Sequence, residues 1–367
     1  MVTGNSARQR VTRAHRRRPV TRTRDRASRD RMMSTLTSRI VRYFTRVPLP
    51  PRAVSIEADR VAVASVKRRR RGRGTSSLHI TGAAVEPLPA GVVEPRFSEL
   101  NIKDRDRLSG AIQRALETSG LRAGGAWSLA IPRQATQTLI VQLDEVPSSK
   151  RELAEILQWK VERVLEVSTT DLRVAFQRLL PLNGRERYLA VAGVEEIIRS
   201  YEEALAPLNI RPGLVIPMPL AEVSWLWLDE PQRDGLLVTC DRGPGDPVPT
   251  IVFTRGQELL AVRTVEAAVG TLADEVHRTL VYYLDKLAPR SKAEGASGDA
   301  PHSELEAILL IGEAVSGDDV EASCRALFPP ERLPTVYALR EIKLVEEGDV
   351  TLDHIAGAAG LAAMCLL

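Results

Sequence analysis

Between Leu236 and Arg263 the chain reads LLVTCDRGPGDPVPTIVFTRGQELLAVR, three short apolar runs parted by turn residues. Leu236–Cys240 breaks at Asp241-Arg242-Gly243-Pro244-Gly245. Thr250–Thr254 and Leu259–Arg263 are joined by Arg255-Gly256-Gln257. Runs this short and β-branched, separated by Gly, Pro and Asp, predict a three-stranded antiparallel meander. An amphipathic helix is predicted next, over Ala267–Leu287.

The rest of the chain alternates in the same manner. Ala53–Lys67 reads as a strand, and Lys67–Arg73 (KRRRRGR) as a basic hairpin tip before a second strand at Ser77–Ala84. Asp104–Ser119 has Leu108, Ile112, Ala115 and Leu116 at helical spacing and stops at Gly120. Strands are expected at Ala126–Ile131 and Thr138–Leu143. A helix over Arg151–Leu165, started by Ser148 or Ser149, carries a stripe of Leu153, Ile156, Leu157, Lys160, Val161 and Val164. Strands at Leu172–Leu180 and Tyr188–Val194 precede a helix at Glu195–Ala206, a strand at Gly213–Ile216 and a helix at Pro219–Leu228. Beyond the meander come a low-complexity loop at Ala288–Ser303 and a strand at Leu305–Ile311. A helix at Asp318–Leu327, an edge strand at Leu333–Val336 and an Ala/Gly-rich helix at Ile355–Leu366 complete the chain. The sum is two α/β halves with mixed sheets.

Charge is unevenly placed. Residues 1–31 hold eleven Arg against Asp25 and Asp30, which leaves 40 basic and 45 acidic side chains in the remainder. A nucleic-acid-binding domain carries its positive charge on the folded part, so no nucleic-acid partner is expected. The arm of residues 1–31 has too little apolar surface to order itself. It reads either as an electrostatic arm or as a stretch upstream of a start at Met32 or Met33. Ser34–Arg46 follows as a basic amphipathic helix. Cys240, Cys324 and Cys365 fit neither a zinc spacing nor a disulfide framework, which suits a reducing compartment. No apolar run reaches the roughly 18–20 residues of a membrane span, so the expected location is cytoplasmic. His277, His302 and His354 are isolated, and no catalytic or metal-binding set is visible.

Several segments together resemble the PilM family, the actin-like cytoplasmic component of type IV pilus machines, with FtsA and the cytoplasmic region of GspL as more distant relatives. They are Trp127–Pro132, Leu143–Pro147, Glu152-Leu153 with Trp159–Glu162, and Tyr188–Ala192 ahead of Ile198 and Tyr201. Glu275, Arg278-Thr279-Leu280 and Tyr282-Tyr283, and the closing Ala356–Ala362, extend the likeness, which spans about Ala53 to Leu367. The resemblance implies an α/β, actin-like (ribonuclease H-like) two-domain fold. The expected divisions are residues 1–47 as arm and helix, 48–230 as the first domain with an inserted subdomain at about 126–212, and 231–367 as the second domain. Only a few residues separate Arg263 from the next helix, so the second domain's own insertion is reduced.

The resemblance also implies where a nucleotide would sit, and there the residues depart. An actin-like ATPase cradles phosphate on backbone N–H groups of two glycine hairpins and holds hydrated Mg2+ with carboxylates. The first such loop aligns with Ser55-Ile56-Glu57-Ala58-Asp59, where an acid has become Ser55 and a glycine Glu57. The second aligns with Thr239-Cys240-Asp241, and a shift of two residues recovers one acid–glycine pair in Asp241 and Gly243. The third keeps Gly312 of a glycine pair. No G-x-x-x-x-G-K-[ST] loop stands elsewhere. Asp241, Gly243 and Gly312 are therefore the candidate nucleotide contacts, with no cofactor expected and ATP with Mg2+ as the alternative. The implied role is a non-catalytic scaffold, peripheral at the inner membrane, that binds the cytoplasmic tail of a PilN-like membrane protein and has scope for self-association. The rival readings are an ATP-binding switch in the same machinery and a GspL-like type II secretion component.

Overall fold

The computed structural model describes residues 49–71, 75–168, 170–229, 233–240, 249–265, 272–287, 305–312, 316–341 and 350–367. The arm, the helix expected at Ser34–Arg46 and the loop at Ala288–Ser303 lie outside these, except that Leu287 closes the helix before that loop. Strands β1 (Arg52–Ile56), β2 (Arg60–Arg71) and β3 (Thr75–Pro87) form an antiparallel meander. The stretch Ala53–Lys67 is thus two strands rather than one. Alternation continues across the tight turn at 57–59, with Ile56 opposite Val61, and so hides the break from a pattern of period two.

Helix α1 (Arg105–Ser119) starts where the Asp104 carboxylate accepts from the Arg107 N–H at 3.0 Å, and ends at Gly120 with φ 68°. It is followed by β4 (Gly125–Ile131), β5 (Gln137–Leu143), α2 (Lys150–Leu165), β6 (Leu172–Leu182), β7 (Arg185–Val194), α3 (Glu195–Leu205) and β8 (Ile210–Pro217). Ser149 caps α2 by accepting from the Glu152 N–H, the first half of a Ser-x-x-Glu start signal. Two short helices, α4 (Met218–Glu222) and α5 (Ser224–Asp229), lead to the second half.

There β9 (Gly235–Cys240), β10 (Pro249–Arg255) and β11 (Glu258–Thr264) make the antiparallel meander, followed by α6 (Leu272–Tyr282) and a π-helical turn at Tyr283–Leu287. The chain closes with β12 (Ala307–Ile311), α7 (Gly317–Leu327), β13 (Thr335–Ala338) and α8 (Leu352–Ala363). Among the described residues no helix is long and apolar enough to cross a membrane.

The two halves repeat one plan. The first sheet has the order β3-β2-β1-β4-β8 and the second β11-β10-β9-β12-β13. In each, a meander is extended by two parallel strands, β4 and β8 beside β1, or β12 and β13 beside β9. A third sheet, β5-β7-β6, is built from residues between β4 and α3. Of the 126–212 expected for the insertion, residues 126–131 of β4 and 210–212 of β8 pair in the first sheet, and the separate sheet spans 137–194.

Helix α8 also departs from its expected place. It follows the second half in sequence but packs on the first sheet, against β1 and β2. The reason is size matching: Ala53, Ala62, Ala64 and Ala130 line that face, and Ala356, Ala359, Ala362 and Ala363 of α8 share their core. Small residues on both sides let a helix approach closely, and apolar burial at about 25 cal/mol per Å2 holds it there. The other face of the first sheet is covered by α1 and α3 through Leu108, Ile112, Ile197 and Tyr201. The second sheet's outer face carries α6 and α7 through Val276, Leu280, Val320 and Cys324.

Candidate functional site

In an open α/β sheet, ligands bind outside the carboxyl ends of parallel strands. In the first sheet those ends include the β1–β2 turn, made of Glu57, Ala58 and Asp59. The turn is closed from within. The Glu57 N–H donates to the Arg60 carbonyl at 2.9 Å, and the Leu88 N–H donates to the Asp59 carbonyl at 2.7 Å. The Arg60 guanidinium grips the Asp59 carboxylate with two donors, at 3.0 Å and 2.5 Å, and stands 3.9 Å from Glu57. Ser55, where the resemblance leads one to expect an acid, is buried in β1. This turn presents two carboxylates and one bound guanidinium, a poor surface for a polyphosphate, which needs converging N–H groups and uncommitted cations.

In the second sheet, β9 and β12 run parallel with Ile311 beside Thr239. Gly312 follows with φ 100°, and a β-carbon there would lie 3.7 Å from the Cys240 carbonyl oxygen. Gly312 is thus placed next to the strand end that leads into Asp241. Asp241 and Gly243 lie outside the described residues. Among the described residues no group of three or more His, Cys, Asp or Glu could hold a metal ion.

A second candidate surface is the third sheet with α2. Leu157 and Val161 of α2 are buried against Val141, Leu143, Tyr188 and Ala190 of the sheet, and the Lys160 ammonium donates to the Gln142 carbonyl at 3.1 Å. Leu153 and Ile156 of the stripe expected on α2 also pack on this core, but Val164 is 62% exposed. Trp159 is 54% exposed as well, with the Arg163 guanidinium over its ring at 5.5 Å. An exposed indole under a guanidinium is a costly way to meet water and a good way to meet a partner. Trp127, by contrast, is fully buried, and β4 is paired on both sides, so Trp127–Ile131 offers no free edge to an added strand.

The third sheet is tied to both halves. Arg173 on β6 holds Glu195 with two hydrogen bonds of 2.8 Å and Glu202 with bonds of 2.6 and 3.2 Å, both partners lying on α3. Hydrogen bonding to Arg173 outweighs the opposing desolvation and, with help from Arg199, holds the Glu195 carboxyl down at about 2. On the other side Arg187 of β7 is buried and donates through Nη2 to the carbonyls of Leu260 and Leu259 on β11. Burial, with Arg255 nearby, lowers its pKa. Neither arginine was visible as a junction in the sequence, since a lone Arg in a strand carries no spacing signal.

No protein-family model matches this chain, and no curated protein matches it in sequence. Among solved structures, a chain of the PilM-PilN type IV pilus biogenesis complex is similar with a TM-score of 0.61 at 18% identity, over 88% of this chain and 99% of that one. The cytoplasmic domain of EpsL, an inner membrane component of the type II secretion system of Vibrio cholerae, is similar at 11% identity over 84% of this chain and 93% of that one, with a TM-score of 0.39. A Bacteroides thetaiotaomicron protein with an actin-like ATPase fold and unknown function is similar at 9% identity over 83% and 93%, with a TM-score of 0.42. Two sheets of one strand order, helices on their faces and a third sheet inserted in the first half give this chain the actin-like two-domain fold.

Proposed function

We propose that this chain is a PilM-like scaffold of a type IV pilus or related secretion assembly, one that binds the cytoplasmic tail of a PilN-like membrane protein without ATP chemistry. The observation that carries the role is the fold shared with a chain of the PilM-PilN complex over nearly the whole of that chain. The β1–β2 turn supports the loss of chemistry. Phosphoryl transfer is positioning plus charge stabilisation, and Glu57 and Asp59, the latter bound by Arg60, put negative charge where phosphate would approach. The scaffold works in the cytoplasm at the inner membrane, held there by its partner. Its tail-binding surface is the outer side of α2, where Trp159 and Val164 are exposed.

The rival is an ATP-binding switch, favoured by one observation: Gly312 keeps its left-handed backbone beside the end of β9. Titration calorimetry of the full chain separates the two. The scaffold predicts no heat with Mg-ATP and saturable heat with a synthetic peptide of the PilN-like protein's N-terminal cytoplasmic segment. Saturable Mg-ATP binding at micromolar concentration would sink the scaffold reading and make Asp241 the first residue to change.

A further inference from the structure

The hairpin of β2 and β3 outruns its sheet. β1 pairs with β2 only as far as Arg52 opposite Ser65, whereas β2 and β3 stay paired from Val66 opposite Ile80 to Arg71 opposite Thr75. The Val66 N–H still donates to the Pro51 carbonyl at 3.1 Å, and from Lys67 on the two strands have only each other as ladder partners among the described residues. At about 3.3 Å per residue the ribbon reaches about 20 Å past the end of β1. Its root is fixed: Val66 and Leu78 are buried in the core that Met364 and Leu366 also join, and Arg68 Nη2 donates to the Leu366 carbonyl at 2.6 Å.

Every residue from Lys67 to Arg71 is basic, and no Asp, Glu, Phe, Tyr or Trp occurs between Val66 and Val85. Lys67 and Arg68 are exposed. The rest of the chain, residues 1–31 apart, has the opposite sign in sequence. Of 51 basic and 47 acidic side chains, eleven Arg and two Asp lie in residues 1–31 and five basic residues in Lys67–Arg71, which leaves 35 basic against 45 acidic, a net of −10.

That combination selects among polyanions. A duplex that admits a ribbon into a groove brings phosphates, one per about 1.7 Å of axis, up to a chain whose remaining charge is net acidic. A single strand needs aromatic platforms, and the ribbon has none. A bilayer is a plane that meets the ribbon end-on. It leaves the root at Arg68 about 10 Å behind Arg71, at about 3.3 Å per residue and beyond the Debye length of about 8 Å, so repulsion is screened while the attraction at the far end is not.

We propose that Lys67–Arg71 on the β2–β3 ribbon is a contact surface for anionic phospholipid headgroups at a membrane face. It stands independently of the pilus or secretion reading. Each basic residue near such a surface strengthens binding by roughly fivefold.

The test is co-sedimentation of the full chain with vesicles of phosphatidylcholine mixed with phosphatidylglycerol, and with vesicles of phosphatidylcholine alone. The native chain is compared with an R69T/R70T/R71T variant and an R69K/R70K/R71K variant, all sharing the same N-terminal arm. The threonine variant is expected to bind mixed vesicles at least about tenfold more weakly, the lysine variant as the native chain does, and none to bind neutral vesicles. If the triple threonine variant lacks the native thermal transition, R70T alone replaces it, with a loss of roughly fivefold. Binding by the threonine variant within about twofold of native would overturn the proposal and assign attraction to the arm. So would a native preference for duplex DNA at equal phosphate that the threonine variant loses.

Discussion

A β-carbon on Gly360 would lie 2.6 Å from the carbonyl oxygen of Ala221, so helix α8 crosses α4 at backbone contact. Ser224 Oγ donates to the Gly360 carbonyl at 2.8 Å, and the Trp225 indole N–H donates to the Ala356 carbonyl at 3.0 Å. The crossing joins the segment that links the two halves to the helix that closes the first. Gly360→Ala is expected to destabilise the protein by about 1–3 kcal/mol, because the obstructing atom is backbone and cannot step aside. Gly357→Ala, which meets the flexible Met218 side chain, should cost less. Thermal and urea unfolding of both variants would check the order, and equal losses would count against backbone contact at Gly360.

Arg187 is the bolt between the third sheet and the second. Arg187→Ala removes a buried guanidinium and leaves the Leu259 and Leu260 carbonyls without that donor, a loss of about 2–4 kcal/mol. Hydrogen exchange is the sharper readout. Amides of β11 and β7 should exchange faster in the variant, while those of β1 and β4 change little. Uniform acceleration would mean global loosening rather than a local joint.

The Arg173–Glu195 pair carries a pH signature. The folded pKa of Glu195 is about 2, below its ordinary value of 4.5, so its stabilisation is present above the unfolded pKa and is lost as pH falls through the folded one. Solvent reaches both partners, so Glu195→Gln should cost about 1 kcal/mol near neutrality, well under what the full shift implies. That difference from the parent should fade as pH drops from about 4.5 toward 2. A difference independent of pH would show that the charge is not what matters.

Trp159→Ala tests the α2 surface. An exposed side chain contributes little to folding, so stability should stay within about 0.5 kcal/mol of the parent. Binding of the membrane-protein tail peptide should weaken by more than about tenfold, as for an aromatic anchor. A fully stable variant that binds the peptide unchanged would move the docking site off α2.

Much of the fold was legible because its signals are local. Asp104 and Gly120 bracket α1 where expected, Ser149 starts α2, and the turn at Gly256-Gln257 joins β10 to β11. Asn183-Gly184, with φ of 53° and 77°, is a two-residue hairpin signal that marks the β6–β7 turn directly, although the expected strands stopped short of it at Leu180 and Tyr188. What could not be read were long-range relations. The placement of α8 on the first sheet depends on facing alanines that no spacing rule connects. The exposure of Val164 depends on which side of α2 the third sheet covers. At the candidate site, Glu57 and Asp59 were visible as residues. The Arg60 clamp that binds Asp59 was not, because it exists only once the turn has folded.

The seat of α8 has a bearing on biosynthesis. The alanine-lined face of the first sheet leaves the ribosome early, and the helix that covers it comes only after the strands of the second sheet have been made. Until then a flat apolar surface stands open in the nascent protein. The first half can gain its strands in order of synthesis, yet its completion waits on the second, so the two halves mature as one cooperative unit rather than in sequence.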